Sequence, residues 1–181
     1  MRLFVGVELP PPVRAHLEAR LQDLRDLLPG WRWAPSSQWH VTLAFLGEVP
    51  PERLPELTRR MGLAARRHRP FDLTLEGLKT FDSPRRARVL WVGVGGSRRA
   101  LSGLADSVSA GARRAKIELD DRRFRPHVTV GRRRTPDDLR DVLAQRPEYA
   151  GPGWQVSDFV LVESHLGASV RHQVRERFTL G

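Results

Sequence analysis

Short stretches in which polar and apolar side chains alternate recur along this chain, and they constrain it to antiparallel sheets with one covered face. Trp39–Leu46 is the clearest case. Trp39, Val41, Leu43 and Phe45 alternate with His40, Thr42, Ala44 and Leu46, and the β-branched and aromatic content suits a strand. Similar stretches at Leu3–Leu9, Phe71–Leu78, Arg88–Val94, His127–Gly131, Trp154–Glu163 and Gln173–Leu180 predict further strands. Helical spacing lies between them. Pro10–Pro12 opens a helix that runs to Leu28, where Pro29-Gly30 stops it. Glu52–His68 places Leu54, Leu57, Met61 and Ala64/Ala65 on one face, Ser97 caps a helix through Lys116, and Pro136–Gln145 forms a short one. A turn is expected at Asp82-Ser83-Pro84. The order β-α-β-α-β-β-α-β-α-β-β with alternating strands implies an α+β fold. Each half of the chain carries a strand, a helix and then a strand with the same local motif, so residues 1–181 are expected to form one domain of two pseudo-symmetric lobes.

The motif is His40-Val41-Thr42-Leu43, echoed by His127-Val128-Thr129-Val130. Residues i and i+2 of a strand share a face. His40 therefore emerges beside Thr42 and His127 beside Thr129, while Val41, Leu43, Val128 and Val130 turn to the cores. If the lobes face one another, two imidazoles and two hydroxyls meet in one cleft. An imidazole with a pKa near ~6.5 serves as acid or base at neutral pH, and threonine hydroxyls can hold the non-bridging oxygens of a phosphorane-like transition state. This inventory opens a cyclic phosphodiester with water and requires no metal. Two distant histidines flanked by threonines, not carboxylates or cysteines, also make a poor metal site.

Charge admits two readings, a polyanionic partner or an arginine-rich composition that merely solvates the surface. The formal net charge is +10, and all but two of the 31 basic residues are arginine, the exceptions being Lys79 and Lys116. Arginine presents a planar fork matched to phosphate. The chain has no cysteine, which excludes disulfides, thiolate metal sites and cysteine nucleophiles. Met1–Leu9 lacks the features of a signal peptide, and no apolar run approaches membrane-spanning length. A cytoplasmic, membrane-free monomer is the expectation.

The wider wording, His40-Val-Thr-Leu-Ala-Phe-Leu-Gly47 and Phe124-Arg-Pro-His-Val-Thr-Val-Gly-Arg132, resembles the 2H phosphoesterase superfamily. Within it, the likeness is to the RNA 2′,3′-cyclic phosphodiesterase branch, once called 2′-5′ RNA ligase. Leu3-Phe4-Val5-Gly6-Val7 and Arg177-Phe178-Thr179-Leu180 extend it to both ends. The resemblance implies a bilobal, duplicated fold with antiparallel sheets lining a central cleft and helices outside. It implies hydrolysis of RNA or oligonucleotide 2′,3′-cyclic phosphate ends to 2′-phosphates, without cofactor or metal, and weak 2′-5′ ligation as a side reaction. Carried over by position, His40 is the general acid toward O3′ and His127 the general base. Thr42 and Thr129 hold phosphate oxygens, Arg132 binds phosphate, and Phe45 contacts the nucleoside. Gly131 departs from relatives that carry a side chain there.

Rival readings keep the arginines but drop the chemistry, as in a non-catalytic RNA-binding module, or keep the site but change the substrate to another small cyclic phosphate. Arg133 and Arg134 read as a solvated run. His16, His68, His165 and His172 read as surface or packing residues, and the five tryptophans mostly as core. Gly93-Val94-Gly95-Gly96-Ser97 fails both nucleotide-loop patterns and reads as a tight strand-to-helix turn.

Overall fold

The computed structural model describes residues 1–181 apart from Asp82, Asp121, Arg122, Arg146, Pro147, Ala168 and Ser169. Asp82 of the expected Asp82-Ser83-Pro84 turn thus lies outside the described residues. The elements are β1 (Arg2–Glu8), α1 (Pro11–Leu27), β2 (Arg32–Trp33), β3 (His40–Glu48), α2 (Leu54–Ala65), β4 (Phe71–Thr80), β5 (Ala87–Gly96), α3 (Arg98–Arg114), β6 (His127–Asp137), α4 (Arg140–Ala144), β7 (Trp154–Val156), β8 (Asp158–His165) and β9 (Arg171–Thr179).

The strands form two antiparallel sheets, ordered β3-β1-β8-β9 and β2-β6-β5-β4-β7. The chain begins in the first sheet, leaves it after β3 to build the second, and returns for β8 and β9. The class is α+β, as the alternation implies. Helices cross between the sheets. The helix α1 follows β1 of the first sheet, yet its Leu17, Leu21 and Leu24 lie along Gly77–Lys79 of β4 in the second. Conversely, α3 follows β5 of the second sheet and packs on α2 and β3. One hydrophobic core results, joining Val5, Val41 and Phe159 with Leu75, Val92 and Val128.

Four expectations are corrected. The α-helix expected from Glu52 begins at Leu54, after a 3₁₀ turn over Pro51–Arg53. Pro55, which lacks an N–H, stands at the second helical position, where the helix needs none. The single strand expected over Trp154–Glu163 is two. Its first part pairs with β4 in one sheet and its second with β1 and β9 in the other. The burial alternation breaks at the change of sheet: Ser157 and Asp158 are two consecutive residues outside the core, between buried Val156 and buried Phe159. The strand β6 continues to Asp137, which pairs with Ala87 and accepts a 2.9 Å hydrogen bond from Trp31 Nε1. That pairing confines the expected helix over Pro136–Gln145 to Arg140–Ala144. Finally, β2 joins the strands expected from alternation, although its two residues carry no periodicity of their own.

The glycine-rich segment Gly93–Gly96 is the end of β5, paired with Leu73–Glu76 of β4, and the expected turn into α3 is made only at Gly96 and Ser97. Gly96 has φ 81°, a conformation glycine adopts without penalty, and Ser97 N–H donates to Asp72 O at 2.9 Å.

Phe159 is fully buried and stacks on Phe178 with ring centroids 5.2 Å apart. Phe159→Ala should cost ~3–5 kcal/mol of unfolding free energy, measured by urea titration. A loss under ~1 kcal/mol would show that this ring pair is peripheral to the core.

Candidate active site

Each motif sits on a strand at or next to one edge of its sheet, and β3 and β6 run against one another. The alternation behaves as read: Val41, Leu43, Val128 and Val130 are buried, while His40, Thr42, His127 and Thr129 are half-buried on the opposite face. The two histidines are close enough that the charge of one lowers the pKa of the other at His40.

A bulge in each strand then changes the parity. Across β1 and β3, Gly6 pairs with Thr42 but Val5 pairs with Ala44, leaving Leu43 unpaired. Across β5 and β6, Trp91 pairs with Thr129 but Leu90 pairs with Gly131, leaving Val130 unpaired. The extra residue shifts the side chains that follow it to the other face, until a second register shift in each pairing. Strict alternation placed Phe45 on the core face with Val41 and Leu43. After the bulge it is 65% exposed and joins the His40 face, its ring 6.3 Å from that of Phe4. The same device brings Arg132 to the His127 face. Each site residue five positions after a histidine is therefore delivered by a one-residue insertion.

Both imidazoles are held in the same way. His40 Nδ1 lies 2.7 Å from Gln38 O, and His127 Nδ1 lies 2.6 Å from Arg125 O. A carbonyl oxygen only accepts, so Nδ1 carries the proton and donates it. Nε2 is left for the cleft on both rings, as a base when neutral and an acid when protonated.

Aromatic rings pack around each histidine. His40 leans over Gly6, where a Cβ would come within 3.4 Å of its ring, and stacks on Phe4 at 4.5 Å. His172 of β9 meets both rings edge-on, 5.3 Å from His40 and 5.0 Å from Phe4. His127 is flanked by Phe81 at 4.8 Å and Trp91 at 5.7 Å, which stack on each other. Arg125 lies over Phe81 and Lys79 over Trp91. Sequence reasoning misses these supports. His172, which reads there as a surface or packing residue, packs on His40 itself. Its place depends on β9 lying two strands from β1, which no local signal encodes.

Electrostatics keep the rings neutral. Burial lowers the His40 pKa to about 4, helped by the charges of His172 and His127. The Gln38 carbonyl opposes this, and Glu8 does so only weakly, because Arg177 pairs with Glu8 and with Asp158. Burial also lowers His127, with Arg132 and Arg125 adding to the effect. Arg132 is exposed, and its neighbour Arg133 turns away to pair with Asp137. Arg133 is thus held in an ion pair and half-buried, where a solvated run was expected. Trp31 is buried and donates to Asp137. Among the described residues no three His, Cys, Asp or Glu side chains gather as a metal site, and no helix is long and apolar enough to cross a membrane.

A family model described as the 2′-5′ RNA ligase superfamily matches residues 10–168. The chain belongs to that superfamily. Among its curated members, an RNA 2′,3′-cyclic phosphodiesterase of Thermus thermophilus is 35% identical over 99% of this chain and 90% of the relative. Another, from Geobacillus stearothermophilus, is 30% identical over 98% of this chain, which spans only 56% of that longer relative. A crystal structure of a Thermus thermophilus protein matches with TM-score 0.85 and 34% identity, covering 99% of this chain and 98% of that one. Escherichia coli LigT, solved in complex with 3′-AMP, matches with TM-score 0.78 and 26% identity, covering 99% and 97%. The superfamily fold accounts for the two sheets.

The buried, neutral His40 gives a stability signature. The unfolded state takes a proton near pH 6.5, while the folded state resists until about 4. Stability contributed by neutral His40 is therefore in place above pH 6.5 and is lost as the pH falls toward 4. Wild type should lose stability across that window faster than His40→Gln, by no more than about 1.4 kcal/mol per pH unit. Parallel melting-temperature curves for the two proteins would contradict the assignment.

Proposed function

We propose that this protein is an RNA 2′,3′-cyclic phosphodiesterase that opens a terminal cyclic phosphate to a 2′-phosphate by metal-independent acid–base catalysis. The observation that carries the reading is the matched pair of histidines. Each is oriented by a carbonyl at Nδ1 and flanked by a threonine, on strands that contact one another, and the charge of His127 reaches His40. Membership of the superfamily and the names of the curated relatives support the substrate class, and the 3′-AMP complex of Escherichia coli LigT supports a nucleotide ligand.

In this mechanism His127 Nε2 takes a proton from water as its oxygen attacks phosphorus. The P–O3′ bond breaks, and protonated His40 Nε2 delivers a proton to O3′. Thr42 and Thr129 donate to the non-bridging oxygens, Arg132 offsets the charge that develops on them, and Phe45 faces the nucleoside. The same step with an RNA 5′-hydroxyl attacking in place of water, and O3′ again leaving, gives the weak 2′-5′ ligation. The two sheets act as lobes that each supply one half of the machinery.

The acid role requires a proton that His40 lacks in the unliganded cleft at pH 7. An anionic phosphate favours the imidazolium and supplies the missing counter-charge. The pH dependence of kcat/KM reports the free protein, so it should peak between pH 4 and 6.5 and fall on the alkaline side of that range. The falling limb of kcat, which reports the complex, should lie at higher pH. A kcat/KM that rises steadily to about pH 8 would remove the two histidines as the titrating pair.

Turnover of adenosine 2′,3′-cyclic phosphate in excess EDTA, with chromatographic assignment of the product isomer, tests the whole reading. Wild type should yield the 2′-phosphate, and His40→Ala and His127→Ala should each lose ~10²–10⁴-fold in turnover. Normal activity in either variant would end the two-histidine mechanism. RNA binding that survives both changes without any wild-type turnover would favour a non-catalytic module.

A further inference from the structure

The short strand β2 brings a second arginine to the face of Arg132. In the antiparallel pairing of β2 with β6, Arg32 stands directly opposite Arg132, and Trp33 opposite Gly131. Directly opposed residues share a face of the sheet, and like charges in that position are destabilising. Both arginines are exposed, and among the described residues neither forms an ion pair. Arg133, between Arg132 and Arg134, is by contrast paired with Asp137.

Nothing in the seating of β2 requires Arg32. The strand is held by Ala34 N–H donating to Val130 O at 2.9 Å and by Trp31 Nε1 donating to Asp137 at 2.9 Å. The Trp31 and Trp33 rings flank Gly131, where a Cβ would lie in ordinary van der Waals contact with each at 3.4 Å. The fold thus carries an uncompensated like-charge pair that its own packing does not need. Such a pair is expected where an anion is to be bound.

The two guanidinium groups occupy different stations. Arg132 acts on His127 together with Arg125, so it belongs with the reacting phosphate. Arg32 lies one strand farther out and is not among the charges that bear on either catalytic histidine. A nucleoside 2′,3′-cyclic phosphate has one phosphate, which leaves Arg32 nothing to hold. An RNA end carries a second anion, the phosphodiester on the 5′ side of the terminal nucleoside.

Resting on the phosphodiesterase reading above, we infer that Arg32 binds the phosphodiester immediately upstream of the terminal cyclic phosphate, so that Arg32 and Arg132 form a two-phosphate clamp selecting RNA ends over mononucleotides. The guanidinium fork suits a phosphodiester oxygen pair better than an ammonium does, so lysine should replace Arg32 only in part.

The test compares kcat/KM for adenosine 2′,3′-cyclic phosphate with that for the dinucleotide ApA ending in a 2′,3′-cyclic phosphate. Arg32→Gln should lower the dinucleotide-to-mononucleotide ratio roughly tenfold, and Arg32→Lys should recover part of it. The slope of log kcat/KM against log salt for the dinucleotide should flatten by ~0.7 in Arg32→Gln, the change expected when one fewer phosphate of a single strand is neutralised. The melting temperature should hold or rise, because a like-charge opposition is relieved. An unchanged ratio, whether both substrates suffer equally or neither does, would overturn the clamp. A wild type inactive on both substrates would instead overturn the phosphodiesterase reading on which it stands.

Discussion

A one-residue β-bulge, used twice, determines which side chains share the cleft. Without it, an antiparallel strand would present residues 40, 42, 44 and 46 on one face, and residues 127, 129, 131 and 133 on the other sheet. The unpaired Leu43 and Val130 turn both series over after the threonine. Two consecutive residues, Leu43-Ala44 and Val130-Gly131, then point to the core, and Phe45 and Arg132 come out beside the histidines. The bulges also free the site from strict strand geometry. An aromatic surface and a guanidinium are set at matching positions of two sheets, although the strands that carry them differ in sequence.

The second constraint is the carbonyl that captures each Nδ1. It sets ring orientation and tautomer together, and it does so through backbone two residues before the histidine. Neutrality then follows from packing. Phe4 and His172 enclose one ring, Phe81 and Trp91 the other, and the charged form of each imidazole loses hydration. Glu8, the carboxylate whose charge reaches His40, is engaged by Arg177, so it does not hold a standing proton on that ring. Both imidazoles are thereby held below their ordinary pKa. The arginines divide along the same lines: Arg133 and Arg177 are tied to carboxylates in the fold, whereas Arg132 and Arg32 are left to face the solvent.

Much of this was legible locally. The alternation around His40 and His127 identified the strands and the faces of Val41, Thr42, Val128 and Thr129, because side-chain parity is a property of the backbone alone. Helix positions followed from proline placement and apolar spacing, except where α2 began only at Leu54 and where Asp137 held β6 extended. The position of Phe45 was not legible from parity. A bulge is a property of the pairing between two strands, and β1 and β3 are separated by the whole of α1.

The sequence by itself determined the α+β class, the two motif strands and the chemical types brought to the site, since these depend on period, turn residues and side-chain identity. The tertiary structure alone decided which residues stand beside the histidines. It placed His172 and Phe4 against His40, Trp91 and Phe81 against His127, and Arg32 opposite Arg132. It also sent Asp158–His165 back to the first sheet. The physical reason is common to all of these. They are consequences of strand order and register across long chain separations, where the free energy lies in burying both sheets around one core and not in any local preference of the residues concerned.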